Sequence, residues 1–294
     1  RRSKFLDRER KKVFNKTRLG TTLKPFPLCP LFVPANKLDW IEKAERSEAD
    51  GLIIDLEDSV PLEEKGKARD GLVEYLSSEE ISKPFFIRTN PLTSREGRKD
   101  SSSFGEKKKN FLGLMTPKIE SLDELKDLPD TLKITLLVET PLAIENLASL
   151  ASDIRVNGIA LGGADLSAEL GSDMSWDSLL YARSRILSYA SINGVFSIDS
   201  PFMQIDDLEG LEEESRRAKS LGFTSKFAIH PNQIEIIRRN FLPTDQEIEE
   251  AKEIIKAFAN SDGGAIAVNG KMVDEPVVKL MKKKLMLAGF NPDN

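Results

Sequence analysis

The 294-residue sequence contains a single cysteine, Cys29, and a single histidine, His230. One thiol excludes a disulfide framework and any cysteine-clustered zinc site. It suits a reducing compartment, cytoplasmic or the matrix of a mitochondrion or other organelle. No apolar run approaches the ~18 to 20 residues needed to cross a bilayer, so a soluble protein with no membrane partner is expected. Basic residues are too few overall for a nucleic-acid partner: the formal net charge is −5, the wrong sign for a phosphate-binding surface. The one exception is the start, where the first 24 residues carry ten Lys or Arg against two acids. Residues 1–27 therefore read as a basic arm: a trimmed targeting segment, a phosphate-attracting flap or a solubilising extension.

What the chain does have is regular alternation. Apolar, β-branched runs recur eight times: PLFVP (30–34), GLIIDL (51–56), FFIRT (85–89), FLGLMTP (111–117), ITLLVET (134–140), NGIALGG (157–163), GVFSID (194–199) and KFAIH (226–230). Between most of them lie segments with apolar residues at three-and-four spacing, such as SWDSLLYARSRILSYASI (175–192), which predicts helices. Strands that are apolar throughout, alternating with helices, imply a parallel sheet covered on both faces. Eight of them imply an α/β fold of the closed (β/α)8 barrel type, the TIM barrel. A doubly wound open sheet more often places a Gly-rich phosphate turn after its first strand, where this chain reads VPANK (33–37).

The barrel is expected over residues 28–243. A C-terminal helical extension or lid follows over 244–294, with a Gly-rich turn between two amphipathic segments. The stretch REGRKDSSSFGEKKKN (95–110) has no apolar stripe. It is expected to be a mobile loop that leaves one side of the barrel thinly covered.

Polar residues fall at the ends of these strands: Asp55, Glu57 and Asp58 after the second, Arg88 and Asn90 after the third, and Lys118 after the fourth. Glu139, Asp165, Asp199 and His230 follow strands five to eight. In a barrel these ends converge on one mouth, where active sites lie. Several carboxylates with one Arg and one Lys, and no cysteine cluster, favour a hard divalent cation bound through oxygen, Mg²⁺ with Mn²⁺ as the alternative. Single strand-end acids also serve as helix caps or ion-pair partners. In an extended segment, Asp55 and Glu57 face one way and Asp58 the other, so the three adjacent acids do not converge on one ion without a turn.

Eight stretches in order, LFVPANK, LIIDLEDSVPLEEKGKAR, IRTNPL, PKIES, VETPLAIENL, GGADLSAELG, IDSPFMQIDDLEGL and AIHPNQI, closely resemble the successive motifs of the citrate lyase β-subunit-like (CitE-like) proteins. These belong to the HpcH/HpaI aldolase superfamily, which includes malyl-CoA, β-methylmalyl-CoA and citramalyl-CoA lyases. The resemblance covers about residues 28 to 285.

It implies an enzyme, a Mg²⁺-dependent carbon–carbon lyase that cleaves or forms a 3-hydroxyacyl-CoA thioester, giving a 2-oxo acid and acetyl-CoA. By the same resemblance Glu139 and Asp165 are the metal ligands, and Arg88 binds the oxo acid and polarises the reacting oxygen. Asp274, in GKMVDEP, is the acid/base contributed from the tail, often into a neighbouring subunit's site. The backbone at Gly162 and Gly163 would receive a substrate carboxylate. Glu57, Asp58 and Lys118 would support the site, and a homotrimer or dimer of trimers is implied.

The chain departs from its relatives at Leu28-Cys29, where many carry Arg-Ser before LFVP. Lys37 or the basic arm is then expected to take the phosphate contacts. Departures of this kind keep two alternatives open, a citrate lyase β subunit acting on a citryl group carried by an acyl carrier protein, and a non-catalytic CoA-binding paralogue. For His230 a structural role is favoured over that of a general base.

Overall fold

The computed structural model describes residues 26–105, 108–261 and 263–290. The basic arm lies outside them apart from Phe26 and Pro27. Two compact units divide the chain, Arg1–Ile237 and Arg238–Asn294.

The first unit is the barrel. Its strands β1 (Pro30–Pro34), β2 (Gly51–Asp55), β3 (Phe85–Arg88), β4 (Phe111–Pro117), β5 (Ile134–Val138), β6 (Val156–Leu161), β7 (Phe196–Asp199) and β8 (Ser225–Lys226) form one parallel sheet in sequence order. The last strand is short, and closure back to β1 rests on three backbone bonds and a single bridge. Lys226 N donates to Leu28 O and Ala228 N to Pro30 O, while Phe32 N donates to Ala228 O, each at 3.0 Å; Leu31 pairs with Ala228. Every residue of β2 and β5 is buried, because the interior fills one side of each strand and helices cover the other.

A chain of inward side chains, Ile53, Phe86, Met115, Leu137, Ala160, Ile198 and Phe227, makes the barrel's own core. Phe26 completes it and stacks on Phe196 with ring centroids 3.8 Å apart. The barrel's packing thus begins two residues before the boundary expected from the sequence. Side chains two apart on a strand share a face, so Ile53, Phe86 and Leu137 set the inward direction for Asp55, Arg88 and Glu139 one step nearer the strand ends. That parity aims the polar residues at the mouth.

Helices on the outer face include α1 (Leu38–Arg46), α2 (Lys65–Ser78) and α3 (Arg95–Ser103). The last corrects, over residues 95–103, the expectation of a mobile loop over 95–110, of which 106 and 107 lie outside the described residues. Ser94 caps α3 by accepting from Gly97 N at 2.9 Å. The helix is held by charge where an apolar stripe is missing. Arg69 of α2 donates to Glu96 and Asp100 at 2.9 and 2.8 Å, and Asp100 is fully buried. Gly97 is required there because a Cβ would collide with the backbone carbonyls of Asn90 and Pro91.

Further round the barrel come α4 (Pro141–Glu145), α5 (Leu147–Leu150), α6 (Gly163–Leu170), α7 (Trp176–Asn193) and α8 (Leu208–Leu221). Ser175 caps α7 by accepting from Ser178 N, and Gly222 ends α8 at φ +122°. Helix α9 (Ile234–Phe241) runs across the division between the units.

The second unit pairs α10 (Asp245–Ala259) with α11 (Glu275–Leu287) around a two-stranded hairpin, β9 (Ile266–Val268) and β10 (Lys271–Val273). Ala251, Ile254, Val268, Val273, Val278, Met281 and Leu285 form its core. Asn269 and Gly270 turn the hairpin at φ 51° and 75°, the positive pair that a two-residue hairpin turn requires. Asp274 follows directly as the N-cap of α11, accepting from Val277 N at 3.2 Å.

Candidate active site

At the mouth, Arg88 is the hub. Its Nε and Nη2 donate to the two oxygens of Asp55 at 2.6 and 2.7 Å, and its Nη1 reaches Asp58 at 3.1 Å and Glu57 at 3.2 Å. The three adjacent acids converge by the means the sequence requires, a turn: the chain turns directly after Asp55, and all three carboxylates meet one guanidinium. The turn is built by Asp55 itself, which accepts Glu57 N and Ser59 N at 2.9 and 3.1 Å. Burial by itself would raise the Asp55 carboxyl, but the two-pronged bond from Arg88 outweighs it and holds it below its ordinary value. The Arg88 guanidinium also stacks over Phe32, 5.0 Å from the ring centroid.

Lys118 follows β4 with φ 53°, a left-handed backbone that costs a side-chain-bearing residue energy and concentrates at functional positions. Its ammonium lies 3.1 Å from Asp165 and 3.7 Å from Glu57. Asp165 stands in the first turn of α6 and is about one-third exposed.

Glu139 is the unusual member. It follows β5 directly and is 1% exposed, and its Oε1 has no hydrogen-bond partner. Its carboxyl is pushed up to about 9, first by burial and then by the charges of Glu57 and Asp165, against partial relief from Lys118 and Arg88. Glu57 is pushed up to about 7, chiefly by burial and despite Arg88. Its Oε2 lies near Arg88 without hydrogen-bond alignment. Two buried carboxylates whose neighbours do not supply enough positive charge are what a divalent cation would complete.

The donor set fits such an ion. Among the described residues no three His, Cys, Asp or Glu side chains form a ready cage. Glu139 and Asp165 would supply the one or two carboxylates that Mg²⁺ commonly takes, leaving its other positions to water and substrate.

This electrostatic arrangement has a pH consequence. Between the ordinary carboxyl value of 4.5 and about 9, the folded protein holds a proton on Glu139 that the unfolded chain has lost. The contribution to stability therefore falls as pH rises through that window. A Mg²⁺ ion held by Glu139 would have to displace the proton, so its stabilising effect would grow over the same range. In melts from pH 5 to 9 with EDTA or excess Mg²⁺, the gap between the two midpoints is expected to widen with pH. A gap independent of pH would contradict the assignment.

Gly162, the residue before α6, lies against Glu139. A Cβ on Gly162 would stand 2.5 Å from both Cβ and Oε2 of Glu139, so glycine there is what lets Glu139 lie flat against the turn. Gly162→Ala is expected to weaken Mg²⁺ binding, measured by titration calorimetry, by about tenfold or more.

Other expected residues are placed differently. Asp199 is sealed from the mouth. Arg183 Nε and Lys226 Nζ donate to it at 2.8 and 2.9 Å, and Lys226 also donates to Glu214 at 2.7 Å; Asp199, Arg183 and Lys226 are all fully buried. His230 is exposed and caps the turn Pro231–Gln233 by accepting Asn232 N at 3.3 Å, which agrees with a structural role. Lys37 is exposed at the start of α1, and the ion pairs described above do not include it. At Leu28-Cys29 both side chains are buried and both N–H groups donate to Asp50, at 3.0 and 2.8 Å.

The sequence matches the family model described as HpcH/HpaI aldolase/citrate lyase over residues 29–231, and the chain belongs to that family. It is 30% identical over 278 residues to the citrate lyase subunit beta of Haemophilus influenzae, covering 86% of this chain and 93% of that one. Against the mitochondrial citramalyl-CoA lyase of Mus musculus it is 28% identical over 286 residues, covering 88% and 85%. Among solved structures, the CitE protein of Mycobacterium tuberculosis in complex with magnesium, acetoacetate and coenzyme A superposes with a TM-score of 0.77 at 30% identity, over 91% of this chain and 99% of that one.

Proposed function

We propose that the protein is a Mg²⁺-dependent lyase that cleaves, or in reverse forms, the carbon–carbon bond of a 3-hydroxyacyl-CoA thioester of the malyl-CoA or citramalyl-CoA kind. The products are a 2-oxo acid, glyoxylate or pyruvate, and acetyl-CoA. The observation that carries this reading is Glu139, a buried carboxylate with an unpartnered oxygen beside Asp165 and within the field of Arg88 and Lys118. A relative with the same barrel holds magnesium, acetoacetate and coenzyme A together, which supports the same chemistry here.

Glu139 and Asp165 would hold the ion. Bound there, it would anchor the oxo-acid end and take up negative charge on the reacting oxygen. Arg88, held in place by Asp55, directs its remaining N–H capacity at the oxo-acid carboxylate and the carbonyl formed on cleavage. The N–H of Gly163, at the start of α6, offers a second grip on a carboxylate, whereas that of Gly162, expected to share the role, already donates to Val138 O at 2.9 Å. Cleavage removes the proton of the 3-hydroxyl, breaks the C–C bond, and leaves its electron pair on the thioester as an enolate; a proton returned to that carbon gives acetyl-CoA. Asp274 is the proposed proton carrier. One of its oxygens caps α11, and the resemblance assigns it to a neighbouring subunit's site in a homotrimer or dimer of trimers.

The buried Leu28-Cys29 pair offers no cation to a CoA phosphate. The match to the citrate lyase subunit beta of Haemophilus influenzae supports the second reading, a citrate lyase β subunit, for which the sequence resemblance implies a citryl group on an acyl carrier protein. Mixing Asp274→Ala chains with Arg88→Ala chains tests the tail's role. Activity regained in the mixture is expected from a site shared between subunits, and two inactive parents giving an inactive mixture would reject it.

A further inference from the structure

Lys65, the first residue of α2, is used by none of the chemistry above, yet its ammonium makes three short bonds. It donates to the backbone carbonyls of Glu57 at 2.6 Å and Leu56 at 3.1 Å, and to Asn90 Oδ1 at 2.6 Å. An ammonium has three N–H donors; two are committed to the corner that carries Glu57 and Asp58 and the third to Asn90.

The partner Asn90 is itself fixed. Its Nδ2 donates to Leu56 O at 3.0 Å and to Asp100 Oδ2 at 2.8 Å, and its backbone N donates to the same Asp100 oxygen at 2.9 Å. The other oxygen of Asp100 takes Arg69 Nη1. Lys65 and Arg69 are four apart on α2 and so lie on one face of it. A continuous relay therefore runs from α2 through Asp100 of α3 and Asn90 to the backbone of the Glu57 corner. The relay is anchored in α2, and its interior, Asn90 and Asp100, is buried.

We propose that Lys65, held by Asn90, Asp100 and Arg69, is a positioning residue that fixes the aim of the Glu57–Asp58 corner on Arg88, and with it the grip of Arg88 on a 2-oxo acid. The inference rests on the reading that Arg88 binds that oxo acid. Lys65 touches no reacting atom; it acts through two carbonyls and the guanidinium they help to orient. Neither metal ligand belongs to the relay, so oxo-acid and metal binding should respond separately.

The test uses the full-length protein and two probes, Mg²⁺ alone and pyruvate with Mg²⁺ present. For Lys65→Met, pyruvate affinity is expected to fall about tenfold, the usual cost of losing an outer hydrogen-bonding partner of a site, while Mg²⁺ affinity stays within about twofold of the wild type. Lys65→Arg is expected to recover part of the loss. Asp100→Asn, which keeps volume and removes charge, is expected to lose pyruvate in the same selective way and serves where Lys65→Met does not fold. Equal weakening of both probes in step with the melting temperature, or unchanged pyruvate binding by folded Lys65→Met, would overturn the proposal. If the wild type itself binds no pyruvate, the oxo-acid reading is at fault. A crystal structure of Lys65→Met then decides the positioning claim, with a displaced Glu57 corner expected and an unmoved one contradicting it.

Discussion

Glu139→Gln is expected to abolish Mg²⁺-dependent thioester cleavage, by about 10³-fold or more, the scale of losing a principal electrostatic group of an active site. The same change is expected to make the metal-free protein more stable above neutral pH. Both follow from one fact: a carboxyl with 1% exposure, an unpartnered oxygen and a titration point near 9 stabilises nothing when it ionises without a cation. Glutamine keeps the shape against Gly162 and removes the buried charge. A carboxylate kept only for the fold would behave in the opposite way, with the variant melting lower and turnover following the amount of folded protein. Melting curves in EDTA at pH 6 and pH 9, beside turnover at saturating Mg²⁺, separate the two.

Arg88→Met is expected to lose oxo-acid binding and turnover together, and also to destabilise the fold by about 3 to 5 kcal/mol at neutral pH, the cost of stripping one partner from a buried ion pair. The second effect arises because Asp55 is buried and its two oxygens are bonded to this guanidinium. In the wild type the stability that Asp55 contributes is present above its ordinary value of 3.8 and is lost as pH falls through its lowered value. In Arg88→Met that acid-side loss should vanish, since an unpaired buried Asp55 gains by taking up a proton. Denaturant titrations at pH 3, 5 and 7 measure it. A variant as stable as the wild type at pH 7 would show the Arg88–Asp55 bond to be energetically idle.

These expectations show where sequence reasoning reached and where it stopped. The barrel was readable because its strands are apolar on both faces, and β2 and β5 are indeed buried throughout. The mouth was readable because strand-end position and two-residue parity are enough to aim Asp55, Arg88 and Glu139 inward. Helix α3 was not, since periodicity reports apolar stripes and α3 is held by Arg69, Asp100 and a close glycine contact. Asp199 looked like one more mouth acid, and only the partners Arg183 and Lys226, 16 and 27 residues away, remove it. The convergence of Asp55, Glu57 and Asp58 on Arg88 depended on a turn stabilised by Asp55's own side chain, a local bond that strand parity does not contain. Lys65 gave no signal beyond its place in a motif, because its role lies in which carbonyls it reaches.

Incubating the protein with malyl-, methylmalyl-, citramalyl- and citryl-thioesters and following 2-oxo acid release, with Mg²⁺ or with EDTA, decides whether it is a Mg²⁺-dependent carbon–carbon lyase for CoA thioesters. Release from at least one CoA thioester with Mg²⁺, and none with EDTA, is the expected result. No release from any member of the panel with Mg²⁺ present, or release undiminished by EDTA, would contradict it.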